Sequence, residues 1–233
     1  MIFFIIIYYM NKFYILILVS LSVFSIFWLN NKTEYFMASK SSDYYETKQK
    51  IYTEMLTKIT TIFKKLNIPI FLSSGTLLGY FRDNKFLDHD YDIDLGIFKE
   101  DYSEIIIEEM ENKGFYLYRT LGDQQTGLEL SFYYRGTPIG KKAKVDIFLH
   151  YKEPNNKIYW TSYEYPKFVK RLKYRVSNFK LEKKMFKGID VYVPTPTLRY
   201  IKEHYGNDWM IPKIPFKTYF YNKSPTSLVT EMT

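Results

Sequence analysis

Three aspartates alternate along one short stretch of the chain: Asp90, Asp92 and Asp94. In a β-strand, residues two apart point to the same face, so these carboxylates would lie side by side. Carboxylates this close repel one another and raise each other's pKa unless a cation lies between them. Oxygen ligands of this kind prefer Mg²⁺ or Mn²⁺ to softer metals. The spacing therefore predicts a divalent metal site.

A solvated acidic turn is the alternative interpretation of these aspartates. It accounts well for Asp88 and Asp90, which stand in a polar segment. It accounts poorly for Asp92 and Asp94, because they lead directly into the apolar residues 95–98. Burying such carboxylates is costly without a partner. We therefore favour metal binding.

Two further segments carry residues suited to the same chemistry. Asp146 stands near the start of an otherwise apolar predicted strand, so it is expected to face a cation or a partner charge, and it is the natural further metal ligand. Ser74, Gly75 and Thr76 form a small turn before a helical segment. Such a turn exposes backbone N–H groups to an anion, which predicts contact with a phosphate.

The elements that must position these residues alternate between helix and strand. Apolar residues at helical spacing predict a first helix between Asp43 and Leu66. The sequence then predicts strands at 70–72, 92–98, 115–121, 128–134, 145–151 and, more weakly, 157–163, and helices at 77–81, 101–112 and 197–205. This order predicts an α/β or α+β domain around one mixed sheet flanked by helices.

Composition limits the possible partners. The chain has 233 residues, 46% of them hydrophobic, which suits one domain with a sizeable core rather than a disordered chain. A net charge of +8 suits nucleic acid, an anionic membrane or phosphorylated small molecules. No nucleic-acid-binding motif is present, so no nucleic acid partner is expected, and we interpret the basic residues of 167–187 as a solvated face. Because the chain has no cysteine, disulfides and Cys-based zinc sites are excluded.

The N-terminal part predicts a membrane anchor. Residues 13–29 are uncharged over 17 positions, just long enough to cross a bilayer core. A cleaved signal peptide is the alternative, but no small-residue cleavage pattern follows Leu29. We expect a single-pass protein with a lumenal domain. The predicted organisation is a tail at 1–12, the anchor at 13–29, a stem at 30–42 and a catalytic domain at 43–233.

The motifs together resemble a known family. The string GTLLGYFR from Gly75 to Arg82, followed by the string DYDIDLG from Asp90 to Gly96, is similar to the LicD/fukutin family of nucleotidyltransferase-like proteins. The run from Tyr205 to Trp209 is similar to that family's late Tyr-Gly-x-x-Trp element. The resemblance covers roughly residues 67–212.

This resemblance implies an activity and a location. Family members transfer phosphocholine or a phospho-alditol from a CDP-linked donor (CDP-ribitol, CDP-glycerol or CDP-choline) to a glycan or glycoprotein acceptor, and fukutin-type members are anchored in the Golgi. A Golgi or ER membrane protein of type II is therefore expected. The resemblance also implies that Asp92, Asp94 and Asp146 bind metal and carry catalysis. Gly75 and Thr76 would then lie by the phosphates, and Arg82 would contact donor or acceptor.

Several other residues have a functional and a structural interpretation. Asp88 and His89 stand where many family members have Pro-Trp, so acceptor recognition is expected to differ. His89 is either a catalytic base or a solvated loop residue. Glu129 either assists metal or base chemistry or is an exposed strand residue. Three lysines are candidates to contact the donor diphosphate, with a solvated hairpin as the alternative: Lys141, Lys142 and Lys144. Two aromatic residues, Tyr205 and Trp209, are candidates to stack on the nucleobase, with a core role as the alternative.

Two other functions stay open from the sequence. A catalytically silent membrane scaffold for a glycosylation complex is disfavoured by the intact set of Asp92, Asp94 and Asp146. A nucleotidyltransferase that uses NTPs is disfavoured by the anchor and by the Gly79-x-x-Arg82 extension.

Overall fold

A computed structural model of the chain describes residues 43–139, 143–164, 170–212 and 230–232. The predicted tail, anchor and stem lie outside the described residues, as do Lys141 and Lys142. By internal contacts the chain divides into Met1–Thr47 and Lys48–Thr233, and the second unit contains the whole sheet and every described residue of the predicted site. Within the described ranges, no helix is both long enough and apolar enough to span a bilayer.

Helices and strands alternate through the first half of the described chain, and strands dominate the second. The helices are α1 (residues 43–65), α2 (Ser74–Leu78), α3 (Ile105–Glu111) and α4 (Thr197–Tyr205), and the strands are β1 (Phe71–Leu72), β2 (Ile93–Phe98), β3 (Phe115–Asp123), β4 (Gly127–Tyr134), β5 (Lys144–Glu153), β6 (Lys157–Glu164), β7 (Lys170–Ser177), β8 (Lys180–Phe186), β9 (Ile189–Thr195) and β10 (Thr230–Met232). A π-helical segment, Gly79–Asp83, continues α2, and a 3-10 turn, Lys99–Asp101, follows β2.

All ten strands belong to one mixed sheet. Its main order is β10-β7-β6-β5-β2-β1-β9-β8, with β4 paired to β5 and β3 paired to β4. The pairs β2/β5 and β1/β9 are parallel and the other pairs are antiparallel. The prediction of a mixed sheet flanked by helices is therefore confirmed.

Strand alternation divides β2 between two environments. Ile93, Leu95 and Ile97 point into the core, where the apolar stripe of α1, including Met55 and Ile59, is also fully buried. Burying each such side chain contributes about 1.5–3 kcal/mol relative to leaving it exposed. Because neighbouring residues of a strand face opposite ways, Asp94 lies on the other face of the sheet.

The sequence prediction missed β7, β8 and β9, and the first two of these strands occupy most of the stretch interpreted as a solvated basic face. In β7, buried Leu172, Tyr174 and Val176 alternate with basic residues, so the stretch has one core face. The turn between β8 and β9 has positive φ at Lys187 (52°) and Gly188 (78°), as expected for a two-residue hairpin turn. The Lys-Gly pair between two alternating segments was therefore a usable hairpin signal.

The predicted helix at 101–112 was placed too early. Asp101 ends the 3-10 turn, and α3 begins only at Ile105. The acidic pair Asp101-x-x-Glu104 suggested a helix start at Asp101, but Tyr102 is extended (φ −72°, ψ 133°), so the chain leaves the helical region between the two segments.

Candidate metal-dependent active site

Strand pairing aligns a row of polar residues across the sheet. Parallel pairing of β2 with β5 sets Asp94 beside Asp146. Antiparallel pairing of β5 with β4 sets Asp146 beside Ser131, and β3 then sets Arg119 beside Ser131. The row Asp94–Asp146–Ser131–Arg119 therefore spans four strands, β2 to β5, that follow one another in the chain.

Three carboxylates near one end of this row are close enough to share a cation. Asp90, Asp92 and Asp94 each offer an oxygen, and these oxygens lie within 4.8 Å of one another. The Oδ1 atom of Asp146 is buried without a hydrogen-bond partner among the described residues. A cluster of carboxylates beside an unsatisfied oxygen has the donor set that Mg²⁺ or Mn²⁺ takes. The residues present therefore fit a divalent cation.

The first turn of α2 supports these carboxylates: Ser74, Gly75 and Thr76 lie within this helix, so the prediction of a turn that precedes the helix is wrong. The N–H of Gly75 donates to Asp94 Oδ2 at 2.9 Å, and Thr76 Oγ1 accepts the Asp94 N–H at 2.8 Å. A Cβ atom at Gly75 would overlap Asp90 Oδ2, so glycine is required for the close approach. The Gly75 N–H thus donates to a carboxylate in this structure. Phosphate contact by Ser74, Gly75 and Thr76 stays a prediction.

Burial and mutual repulsion disturb the ionisation of these groups. Burial, together with the charges of neighbouring carboxylates, raises the pKa of Asp90 and Asp94 well above the usual range. Burial also raises the pKa of Asp146, although Lys144 opposes it. Burial alone would raise the pKa of Asp92 too, but the charge of Lys144 and nearby hydrogen bonds hold it below its usual value. A cation would relieve this repulsion.

Lys144 connects two of these carboxylates. Its ammonium lies 2.7 Å from Asp92 Oδ2 and 3.0 Å from Asp146 Oδ2. The side chain is only 19% exposed. Burial would lower the pKa of Lys144, but the charges of Asp146 and Asp92 outweigh burial and raise it, so the side chain stays protonated. The suggested contact between Lys144 and a donor diphosphate stays a prediction.

Helix α1 holds the loop that carries the first aspartate. Lys48, 1% exposed, donates to the carbonyl oxygens of Leu87 (2.7 Å), Asp88 (3.0 Å) and Asp90. Its neighbour Gln49 pairs with the backbone of the same loop, donating to one carbonyl at 2.7 Å and accepting an N–H at 3.1 Å. The three ammonium donors of Lys48 are matched by three acceptors, which compensates for its burial.

Glu129 is buried rather than exposed, so the interpretation as an exposed strand residue is wrong. Arg119 donates to Glu129 Oε1 at 2.7 Å and to Ser131 Oγ at 3.0 Å. Burial and the charge of Asp146 raise the pKa of Glu129 to about 8 despite Arg119. The register of β3 shifts between Leu117 and Arg119. Such bulges re-aim side chains near active sites.

Arg82 forms an ion pair with its neighbour Asp83. Its guanidinium pairs with Asp83 through two contacts, at 2.9 and 2.8 Å, and approaches the carbonyl oxygen of Trp209 at 3.4 Å. It lies in the π-helical segment, a local distortion that is frequent at functional sites. His89 is partly buried, and burial together with the charges of Arg82 and Lys48 lowers its pKa.

The two late aromatic residues differ in position. Tyr205 is buried in the core, as its structural interpretation expects. Trp209 is half-buried and packs against Phe81 with ring centroids 5.6 Å apart. Stacking of either residue on a nucleobase stays a prediction.

Sequence reasoning missed Lys48, Arg119 and Ser131. A signal for Lys48 exists, because it falls on the apolar stripe of α1, three and four residues before buried Ile51 and Tyr52. Arg119 and Ser131 have no comparable signal, since only the pairing of β3, β4 and β5 brings them to the site.

Comparison with known proteins gives a family match over the site. Residues 67–196, more than half of the chain, match the family model described as LicD/FKTN/FKRP, nucleotidyltransferase domain. Ribitol-5-phosphate transferase FKTN of Homo sapiens and of Macaca fascicularis is 36% identical over 176 residues, 75% of this chain. Uncharacterized protein RP689 of Rickettsia prowazekii (strain Madrid E) is 31% identical over 144 residues, 62% of this chain and 50% of its own length. The chain spans 36% of the length of the FKTN relatives.

Proposed function

Because this chain belongs to the LicD/FKTN/FKRP family, we propose that it transfers a phospho-alditol or phosphocholine group from a CDP-linked donor to a glycan acceptor. One observation carries the proposal: Asp90, Asp92 and Asp94 converge within 4.8 Å, with Asp146 on the adjacent strand. The ribitol-5-phosphate transferase name of two relatives supports a phospho-alditol as the transferred group.

The four aspartates would hold Mg²⁺ or Mn²⁺. When bound, the metal supplies positive charge that neutralises the donor diphosphate and the departing CMP. The chain's own part is to fix the ligands: Gly75 and Thr76 orient Asp94, and Lys48 orients the loop of Asp90. Fixed ligands allow electrostatic stabilisation without reorganisation during the reaction.

The bond changes of this reaction are simple. The acceptor hydroxyl oxygen bonds to the phosphorus atom distal to cytidine, and the phosphorus–oxygen bond to CMP breaks. The hydroxyl proton passes to a carboxylate, for which Asp94 and Asp146 are the candidates. These two residues lie side by side on the paired strands β2 and β5.

Product analysis tests the reaction. The full chain in detergent is incubated with Mn²⁺, a glycan acceptor panel and CDP-ribitol, CDP-glycerol or CDP-choline. We expect CMP release that depends on Mn²⁺ and rises with acceptor. Pyrophosphate release from an NTP would instead identify a nucleotidyltransferase. Metal binding without turnover of any donor would favour a silent scaffold.

We also propose that residues 13–29 anchor the chain as a type II protein of the ER or Golgi. The supporting feature is their uncharged, bilayer-length sequence. The chain should therefore stay with membranes after carbonate washing, and deletion of residues 13–29 should release it. Recovery of the intact chain in the soluble fraction would refute the anchor.

A further inference from the structure

Lys144 occupies the space between two carboxylates that the proposed metal site needs. Position 144 precedes Val145, which pairs with Ile93, so Lys144 lies beside Asp92 across the parallel β2/β5 pair. On its own strand Lys144 is two residues from Asp146 and shares its face. Its single ammonium contacts Asp92 Oδ2 at 2.7 Å and Asp146 Oδ2 at 3.0 Å. One built-in cation thus joins acids from two strands.

We propose that Lys144 is an internal counter-cation that competes with the divalent metal for Asp92 and Asp146, and that its ammonium binds the donor diphosphate once the metal displaces it. The inference rests on the proposed function, since it requires a metal at these aspartates. It goes beyond that function because it gives Lys144 two partners in turn: the two carboxylates before the metal binds, and the donor diphosphate afterwards.

Shared ligands make the competition necessary. Asp92 belongs both to the Lys144 ion pair and to the three aspartates whose oxygens converge. A divalent cation on Asp92 would lie a few ångströms from the ammonium, and like charges this close in a partly buried site repel strongly. Either the metal binds weakly or Lys144 moves.

The lysine side chain suits such a movement. Lysine carries a compact charge on a flexible four-carbon stem and is a common phosphate ligand. The Lys144 side chain is 19% exposed, so part of it contacts solvent. An arginine in a bidentate pair, such as Arg82 with Asp83, would be held more rigidly. Displacement would bring a positive charge to the place where a diphosphate approaches the metal.

Calorimetric titration of the full chain with Mn²⁺ tests the competition. We expect Lys144→Gln to bind Mn²⁺ about tenfold more tightly than the wild type, a typical coupling between two sites. Lys144→Met is a second neutral variant of similar length. It should show the same gain in Mn²⁺ affinity, and it replaces Lys144→Gln in the test if the glutamine amide disturbs folding. Lys144→Arg keeps the charge and should not gain affinity. The matched control is Lys184→Gln, which removes an exposed lysine paired with Glu182 and should change nothing.

CDP at saturating Mn²⁺ tests the second role. Both neutral variants should bind CDP about tenfold more weakly than the wild type, although they bind Mn²⁺ more tightly. A purely structural lysine would weaken both ligands together. Unchanged or weaker Mn²⁺ binding in the neutral variants would overturn the competition, and unchanged CDP affinity would overturn the phosphate role. Failure of the wild type to bind Mn²⁺ would instead refute the metal site of the proposed function.

Discussion

Strand β5 carries a carboxylate near each of its two ends, and the two carboxylates differ in the charges that surround them. Near its start, Asp146 lies beside Asp94, with Lys144 shared between Asp146 and Asp92. At its end, Glu153 lies 2.9 Å from Lys173 and 3.3 Å from Arg175. Burial alone would raise the pKa of Glu153, yet these two cations keep it below the usual value, whereas the pKa of Asp146 is raised.

The difference supports a structural role for the Glu153 ion pairs and the proposed metal site at Asp146. Glu153 has more positive than negative charge around it, so its ion pairs are complete within the chain. The Asp146 cluster has an excess of acids and a buried oxygen without a partner among the described residues, so it is complete only with an added cation. Excess charge that the fold itself does not neutralise is the mark of a binding site.

The largest expected effect comes from removing a carboxylate at the start of β5. Asp146→Asn should lower transferase turnover by about 10²–10³-fold, because a charge that fixes the metal and the reacting groups is lost. Metal-free stability should hold or rise, since repulsion is relieved. Glu153→Gln is the matched control on the same strand, and its turnover should equal that of the wild type. Equal losses in both variants would erase the distinction between the two clusters.

Loss of the α1 clamp should damage both the fold and the metal site. Lys48→Met leaves three loop carbonyls without their donor, so the free energy of unfolding should fall by about 3 kcal/mol. Mn²⁺ affinity should also fall by about 10–100-fold, because supporting contacts orient metal ligands. Urea denaturation and calorimetry measure the two effects. The control is Lys65→Met, which removes an exposed lysine that is also on α1 and pairs with Glu109 of α3. It should shift the free energy of unfolding by less than about 0.5 kcal/mol.

The acid-rich cluster should make metal-free stability depend on pH. Glu129 binds its proton up to about pH 8 in the folded protein but only up to about pH 4.5 when unfolded. Between these values the folded state holds more protons, so its stability falls as pH rises. The raised pKa values of Asp90 and Asp94 act in the same direction.

Urea denaturation in EDTA measures this pH dependence. The free energy of unfolding should be lower at pH 8 than at pH 5 by about 2 kcal/mol. Glu129→Gln should reduce the difference, and saturating Mn²⁺ should reverse it, because ionised ligands bind the metal better. If the free energy of unfolding of the metal-free protein instead rises from pH 5 to pH 8, the assignment of a carboxylate cluster with excess negative charge is wrong.

The smallest expected effect comes from the balanced end of β5. Glu153→Gln should lower the free energy of unfolding by about 1 kcal/mol, since the ion pairs are partly exposed. Because the folded-state pKa of Glu153 is lowered, its contribution is present above the usual glutamate range and is lost as pH falls. Thermal unfolding at pH 7 and pH 3 measures this, and the two proteins should converge at the lower pH.

Local sequence patterns predicted the parts of this molecule that depend on near neighbours. Alternation along β2 predicted that Asp92 and Asp94 share a face, and helical spacing together with Gly206 located α4. The same reasoning failed for β7 and β8, because the many basic side chains were interpreted as a solvated face although apolar residues alternate with them in β7. It also kept Glu129 open between an exposed and a functional position, because a strand sequence does not say which neighbour covers it.

By itself, the sequence determined the acidic character of the site and the faces on which its aspartates lie, because strand periodicity is a property of adjacent residues. Tertiary structure alone decided that Asp146 lies beside Asp94, that Ser131 and Arg119 complete the row, and that Lys144 joins two acids. It also decided that Lys48 holds a loop about 40 residues away. Strand partners and buried ion pairs depend on which distant segments meet, and shared burial selects those segments rather than any local pattern.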